Sequence, residues 1–261
     1  MRTEAPASQT VARAMELLRL VSSSRREGMR LNDIVEIGEL SKPTVYRLLK
    51  ELVNCGLLMR SPDKRYFLGQ FAYELGLSAS AHFHLREMCQ PYVSRIAQET
   101  GDTVFLVVRS GPDSFCLDRQ TGNYPIKVFS VEVGHRQPLG IGAGGLALLS
   151  WLPQDEREAV IARNSVRLSM YGGLDERRLR RLVEEARGAG HSRIADFAIP
   201  GVTGVGVPVL DRVGVPMLAL SVTSVSARMA PSHQGEALHV LCQEAAKLQG
   251  LLNNTAPALR K

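Results

Sequence analysis

The stretch LSKPTVYRLLKELVNCGLL, residues 40–58, constrains the fold most, because its two sides ask for different surroundings. Val45, Leu48, Leu49, Leu52 and Val53 recur at i, i+3, i+4, i+7 and i+8, and so share one face of a helix. The opposite face carries Pro43, Arg47, Lys50 and Asn54, with Thr44 and Tyr46 on its flanks. Ser41 stands where an N-cap belongs, and Pro43 falls in the first turn, where a missing N–H costs nothing. Such a helix wants a small apolar scaffold behind it and something anionic in front.

The flanking residues supply the scaffold. Ser8 or Thr10 can cap a preceding helix with an apolar stripe of Val11, Ala14, Met15, Leu18 and Val21. SSSRREGMR, residues 22–30, reads as a polar loop, and a short helix starts near Leu31 with Ile34, Val35 and Ile37 as buried contacts. Gly38 is expected to end that helix in a left-handed cap. After Gly56, residues 57–60 and 65–68 read as strands around SPDK, whose Ser-Pro-Asp is good turn chemistry. Two helices, a tight turn and a following hairpin make a winged helix-turn-helix, placed at residues 9–69.

Charge points to its partner. Residues 41–65 hold Lys42, Arg47, Lys50, Arg60, Lys64 and Arg65 against Glu51 and Asp63, a local +4 within a whole-chain +6. Bases are read in the major groove by side-chain hydrogen bonds and methyl contacts, whereas phosphates reward charge alone. Thr44, Tyr46 and Arg47 are therefore assigned to the groove of double-stranded operator DNA, and Lys42, Lys50, Arg60, Lys64 and Arg65 to phosphates. Ser41 and Pro43, at the helix start, complete the expected DNA surface.

These residues resemble the isocitrate-lyase-regulator (IclR) family of bacterial transcription factors. The resemblance continues through RYFLG, PYVSRIAQETGDTVFLVV, VGHRQPLGIGAGGLALLSWL and GVTGVGVPVLDRVGVPMLALSVTSVSARM, spanning about residues 11–252. It implies a linker helix at residues 70–84 that carries part of a dimer contact; from the residues alone a core helix is an equal reading. It also implies that residues 85–253 form a sensing and oligomerisation domain similar to GAF and PAS folds.

The residues of that second part support an α+β class. Residues 103–108, 115–118, 202–210 and 215–225 read as strands, the last two joined by DRVG, an Asp-to-Gly hairpin signal. Helices are expected to end near Gly101, to run from Leu146, to start at Pro153, to occupy residues 174–187 and to close the chain over residues 231–252. A central antiparallel sheet flanked by helices follows. Residues 1–8 and 254–261 are expected to be flexible ends.

GIGAGG, residues 140–145, is neither a Walker A loop nor a dinucleotide fingerprint. Glycines opening a helix bare backbone amides that suit a carboxylate, although tight packing on a sheet also explains them. By resemblance this loop is one wall of an effector pocket, with Gly142, Ala143 and Gly144 facing the ligand. Ser221 and Thr223 supply hydroxyls from one strand, and Asp196, Val202 and Gly204 come from the opposite segment. The sequence departs from the family at Leu146, where a lysine is common. Phe105, Phe115 and Phe129 are candidate apolar walls or core residues. Arg109 or Arg119 could pair an acidic effector or be solvated loop charges.

Other classes find little support. No run approaches the ~18 apolar residues of a membrane span, and the N-terminus has no apolar signal core, so a cytoplasmic protein is expected. Cys55, Cys89, Cys116 and Cys242 form no CxxC and read as ordinary thiols. The six histidines make no metal motif, and His82 and His84 read as surface residues. Neither a metal nor a cofactor is implied. No GxSxG or Cys/His arrangement favours the alternative of an enzyme with an appended nucleic-acid module. The expectation is a ligand-responsive transcription factor, a homodimer or a dimer of dimers.

Overall fold

The computed structural model describes residues 8–24, 27–38, 40–80, 84–196 and 198–255. Most of both expected flexible ends, together with His82, lies outside them. The chain divides into two compact units, Met1–His84 and Leu85–Lys261.

The first unit contains α1 (Gln9–Ser23), β1 (Met29–Arg30), α2 (Leu31–Gly38), α3 (Lys42–Asn54), β2 (Leu58–Arg60), β3 (Arg65–Leu68) and α4 (Gln70–Ser80). Ser8 caps α1, accepting a hydrogen bond from Val11 N at 3.4 Å. The core gathers Leu17 and Val21 of α1, Ile34 of α2, Val45, Leu48, Leu49 and Leu52 of α3, and Leu58 and Tyr66 of the hairpin. Gly56, at φ +75°, ends α3 and turns the chain into β2. The three strands pair antiparallel in the order β1-β3-β2.

Three local expectations are corrected. The buried face of α1 is centred on Leu17 and Val21, while Val11 and Met15 are exposed. At about 100° per residue, they lie roughly 120° and 160° around the helix from Leu17. Ile37 is likewise exposed. Gly38 is the last residue of α2 and is absent from the left-handed region.

α4 covers most of residues 70–84. Phe71, Tyr73, Leu75 and Leu77 are all exposed, so it is no core helix of its own unit.

The second unit is α+β, as expected. It runs α5 (Leu85–Thr100), β4 (Thr103–Ser110), β5 (Asp113–Thr121), β6 (Arg136–Pro138), α6 (Gly142–Ser150), α7 (Gln154–Leu168), α8 (Glu176–Ala189), β7 (Ser192–Ala195), β8 (Val202–Leu210), β9 (Pro216–Val225) and α9 (Pro231–Thr255). Six antiparallel strands are ordered β6-β5-β4-β9-β8-β7. β6 and β7 had no counterpart in the sequence reading, β4 and β5 run longer than expected, and α6 begins four residues before Leu146.

Alternation along the strands divides the core between the sheet faces. Val104, Leu106, Val205, Val207, Leu220 and Val222 meet α5 and α9. Phe105, Val107 and Ala219 meet α6, α7 and α8. Cys89 and Cys116 belong to opposite faces, and burial pushes each thiol up to about 12. Among the described residues the four cysteines are free, with Cys55 and Cys242 exposed.

Two measurements test this packing. Leu49→Ala removes a fully buried side chain from the small core and is expected to destabilise it by about 2–5 kcal/mol in urea unfolding. An aromatic disulfide reagent at pH 8 should modify Cys55 first, Cys242 more slowly because burial pushes its thiol up, and Cys89 and Cys116 only after unfolding. The raised thiols also set a sign. Their contribution to stability is complete below the ordinary value of 9.0 and is lost as pH rises toward about 12.

Candidate DNA interface and effector site

Burial of Val45, Leu48, Leu49 and Leu52 fixes the rotation of α3, and so decides which residues it offers outward. Lys42, Pro43, Tyr46, Arg47 and Lys50 are exposed and Thr44 is half-buried; Tyr46 is 51% exposed, high for a tyrosine. Ser41 holds the N-cap position, but its hydroxyl pairs with the Thr44 hydroxyl at 2.8 Å instead of a backbone amide. The amides of the first turn of α3 therefore have no side-chain cap, which suits a phosphate.

The wing turns tightly. Ser61 N donates to Arg65 O at 2.9 Å, Lys64 N donates to Ser61 O at 3.0 Å, and Lys64 adopts φ +64°. The Ser61 hydroxyl donates to Asp63 and holds its carboxyl below the usual range, with Arg65 adding to the effect. Lys64 at the tip and Arg60 beside it are exposed, and the Arg60 guanidinium lies 5.8 Å from the Tyr66 ring centre.

Arg65 departs from its expected role. Its guanidinium donates to Glu27 O at 3.1 Å and Gly28 O at 3.3 Å, and its Nε lies 3.1 Å from the Asp63 carboxylate. It ties the wing to the loop before β1 and offers little to a phosphate. Arg30, missed because a two-residue strand leaves no periodic signal, is instead an exposed cation on that sheet.

In the second unit, six of the eight expected effector residues converge. Gly142, at φ +69°, opens α6 behind Ile141, which provides no side-chain cap. A Cβ on Gly144 would lie 2.6 Å from Val107 Cγ2 and 3.3 Å from Ser221 Oγ. One on Gly204 would lie 2.8 Å from Thr223 Oγ1 and 3.3 Å from Ala143 Cβ. Gly142, Ala143, Gly144, Gly204, Ser221 and Thr223 thus meet where the N-terminus of α6 crosses β8 and β9. The glycine run packs tightly on the sheet, and the helix start behind it has no side-chain cap.

Asp196 and Val202 lie one step further out, joined by Asp196 N to Val202 O at 2.9 Å. The Asp196 carboxylate accepts from Gly201 N at 3.0 Å and Ser226 Oγ at 2.7 Å, so it braces its own loop. Leu146, standing where the family often has a lysine, is fully buried against the α6-side core. Cavities of about 350 Å³ beside α8 and β7, and about 460 Å³ beside Trp151 and α9, include none of the eight residues.

The aromatic candidates separate clearly. Phe105 is core, Phe115 lies under the Arg136 guanidinium, and Phe129 is 59% exposed with the Arg119 guanidinium 4.5 Å from its ring centre. Arg109 pairs with Glu156 at 2.8 Å. Among the described residues no group of three or more His, Cys, Asp or Glu could hold a metal. Nor is any helix there long and apolar enough to cross a membrane.

The pattern described as "Bacterial transcriptional regulator IclR C-terminal" matches residues 77–249, and that of the "IclR helix-turn-helix domain" matches residues 10–62. The chain belongs to the IclR family. Its relatives are HTH-type transcriptional regulators: XynR of Escherichia coli is 26% identical over 86% of this chain and 89% of its own. The repressor AllR of Klebsiella pneumoniae is 26% identical over 94% and 91%. KipR of Bacillus subtilis, also 26% identical, matches over 61% of this chain and 62% of its own length. An IclR homologue from Microbacterium hydrocarbonoxydans, solved as a complex with 4-hydroxybenzoate, is 25% identical over 93% of this chain and 98% of its own, at a TM-score of 0.64. A regulator from Silicibacter superposes at a TM-score of 0.76 over 94% and 96% of the two chains, with 23% identity. This IclR-family chain is a DNA-binding transcriptional regulator, not an enzyme.

Lys64 and Arg65, adjacent in sequence, should behave oppositely. Lys64→Ala is expected to weaken DNA binding on all sequences alike and to lower the salt slope by about 1. Arg65→Ala is expected chiefly to lower the melting temperature, read by circular dichroism, since it removes three contacts within the unit.

Proposed function

We propose that this regulator binds operator DNA as a homodimer, or a dimer of dimers, in the cytoplasm, and that a small organic or aromatic acid modulates that binding. One observation carries the DNA assignment. Tyr46 and Arg47 stand in solvent while four neighbours on α3 are sealed in the core. Thr44, Tyr46 and Arg47 then read base edges, with Ser41 and Pro43 lining the approach. Lys42, Lys50, Arg60 and Lys64 meet phosphates.

The exposed apolar side chains of α4 support self-association, since four large ones on one short helix are costly to leave in water. Two copies would place their recognition helices on half-sites about one helical turn apart or a multiple of that.

The acid belongs where α6 begins, at Gly142, Ala143 and Gly144, with the Ser221 and Thr223 hydroxyls beside it. Positive potential at a helix start favours a carboxylate. The 4-hydroxybenzoate held by the Microbacterium homologue supports this class. The ligand shifts regulation only by as much as it binds one operator-competent arrangement better than the other.

Footprinting on the protein's own upstream region, repeated with organic and aromatic acids, tests the reading. Protection that changes with an acid is expected; protection indifferent to every acid would remove the sensing role. Arg47→Ala is expected to cost about 1–3 kcal/mol of operator affinity and to relax base preference. Uniform weakening on every sequence would make Arg47 a phosphate contact instead.

A further inference from the structure

We propose that Arg119 is the ion-pairing residue of the effector site, and that the ligand it selects is a carboxylate on an apolar, ring-sized body. The proposal rests on the effector reading above and goes beyond it by naming the counter-ion.

Sheet register places Arg119. It stands opposite Phe105 across β5 and β4, Phe105 stands opposite Ser221 on β9, and Ser221 opposite Gly206 on β8. Directly paired residues share a sheet face, so Arg119 lies on the α6 side with Ser221. Strands spaced about 4.8 Å apart put its backbone roughly 10 Å from that of Ser221. Phe105, between them on that face, is core, so Arg119 and Ser221 flank it on either side.

The guanidinium is partly buried and held in place. It lies 4.5 Å from the Phe129 ring centre and spends one donor on Val131 O at 3.0 Å. Arginine has five N–H donors, and among the described residues this one has no carboxylate partner. Its fixed neighbours do. Arg86 pairs with Asp118, Arg167 with Asp113 and Arg228 with Asp102, at 3.1, 2.7 and 2.7 Å. Arg157 and Arg187 lack acids but donate to Leu152 O and Ser150 O at the end of α6, where the helix dipole supplies negative potential. Arg119 has neither compensation.

Arg109, the other candidate, is excluded by its place. It faces Ser114 at the far end of the β4–β5 pair and already holds Glu156. A stacked, partly desolvated guanidinium with open donors pairs a carboxylate in bidentate fashion. The exposed ring of Phe129 gives the apolar body a surface beside it.

Calorimetry on the full chain tests this with matched probes: benzoate, 4-hydroxybenzoate and short aliphatic carboxylates, each against its neutral amide. Wild type is expected to bind at least one acid and to reject its amide. Arg119→Met should weaken that acid roughly tenfold to a hundredfold and narrow the acid–amide gap. Arg119→Lys should keep part of the preference, and Arg109→Met all of it. Should Arg119→Met fail to fold, Arg119→Gln, which keeps a donor for Val131 O, carries the same expectation.

Unchanged acid affinity in the Met or Gln variant would overturn the role of Arg119 while leaving the effector reading intact. Equal binding of acid and amide would overturn the ligand class. A wild type indifferent to every carboxylate would remove both readings together.

Discussion

Gly144, Gly204 and Gly206 let the backbone of α6 lie directly against the sheet, and the second unit is arranged around that contact. A Cβ on Gly206 would come within 2.9 Å of Ala143 O, and the Ser192 hydroxyl closes the same gap by donating to Ala143 O at 2.6 Å. Side chains of ordinary size at these positions would lift the helix off the strands. With them absent, α6 is buried from Ala143 to Ser150, and α7 and α8 cover its outer side. The sheet is thus enclosed on both faces, with α5 and α9 on the other. That is why β9 reads as an almost continuous buried run instead of a half-wet strand.

A helix buried over its whole length must answer for both ends. At the C-terminal end Arg157 and Arg187 supply the donors, and Ser150 Oγ returns a bond to Leu146 O at 2.8 Å. At the N-terminal end there is no matching acceptor, because Ile141 occupies the cap position. The asymmetry leaves positive potential at the crossing with β8 and β9, where Ser221 and Thr223 present hydroxyls. The feature that binds helix to sheet therefore also creates the place for an anion.

How far this was legible depended on the range of the interaction involved. The apolar stripe of α3 is a local pattern, and its burial follows from spacing alone; the two strands of the wing are equally local. The face of α1 was misjudged at Val11 and Met15 because Leu17 and Val21 are selected by where α2 and α3 sit, not by the stripe itself. β1, β6 and β7 are two to four residues long and exist through their partners, so no periodicity announces them. Arg65 looked like its neighbours because charge is visible in sequence and direction is not; the left-handed Lys64 sends the two side chains apart. The effector residues came largely from family resemblance, which named the wall of the site and left the cation open between Arg109, Arg119 and no pairing at all. Arg109 and Arg119 were both candidates in the sequence, and strand register with the Arg109–Glu156 pair separates them.

The segment holding Arg119 in place is itself anchored, and the anchoring explains a buried charge that would otherwise be a burden. The Asp102 side chain is wholly buried, 2.7 Å from Arg228 Nε and 2.6 Å from His233 Nε2. Arg228 also donates to Thr100 O at 3.0 Å and stacks 4.0 Å from the Tyr124 ring centre. Tyr124 N bonds Gly101 O, Gly122 N bonds Asp102 O, and Lys127 Nζ donates to Gly122 O. A buried carboxylate stripped of these partners would cost several kcal/mol, and satisfied by them it specifies one arrangement. That arrangement joins the end of α5, the start of α9 and the loop leading to Phe129 and Val131.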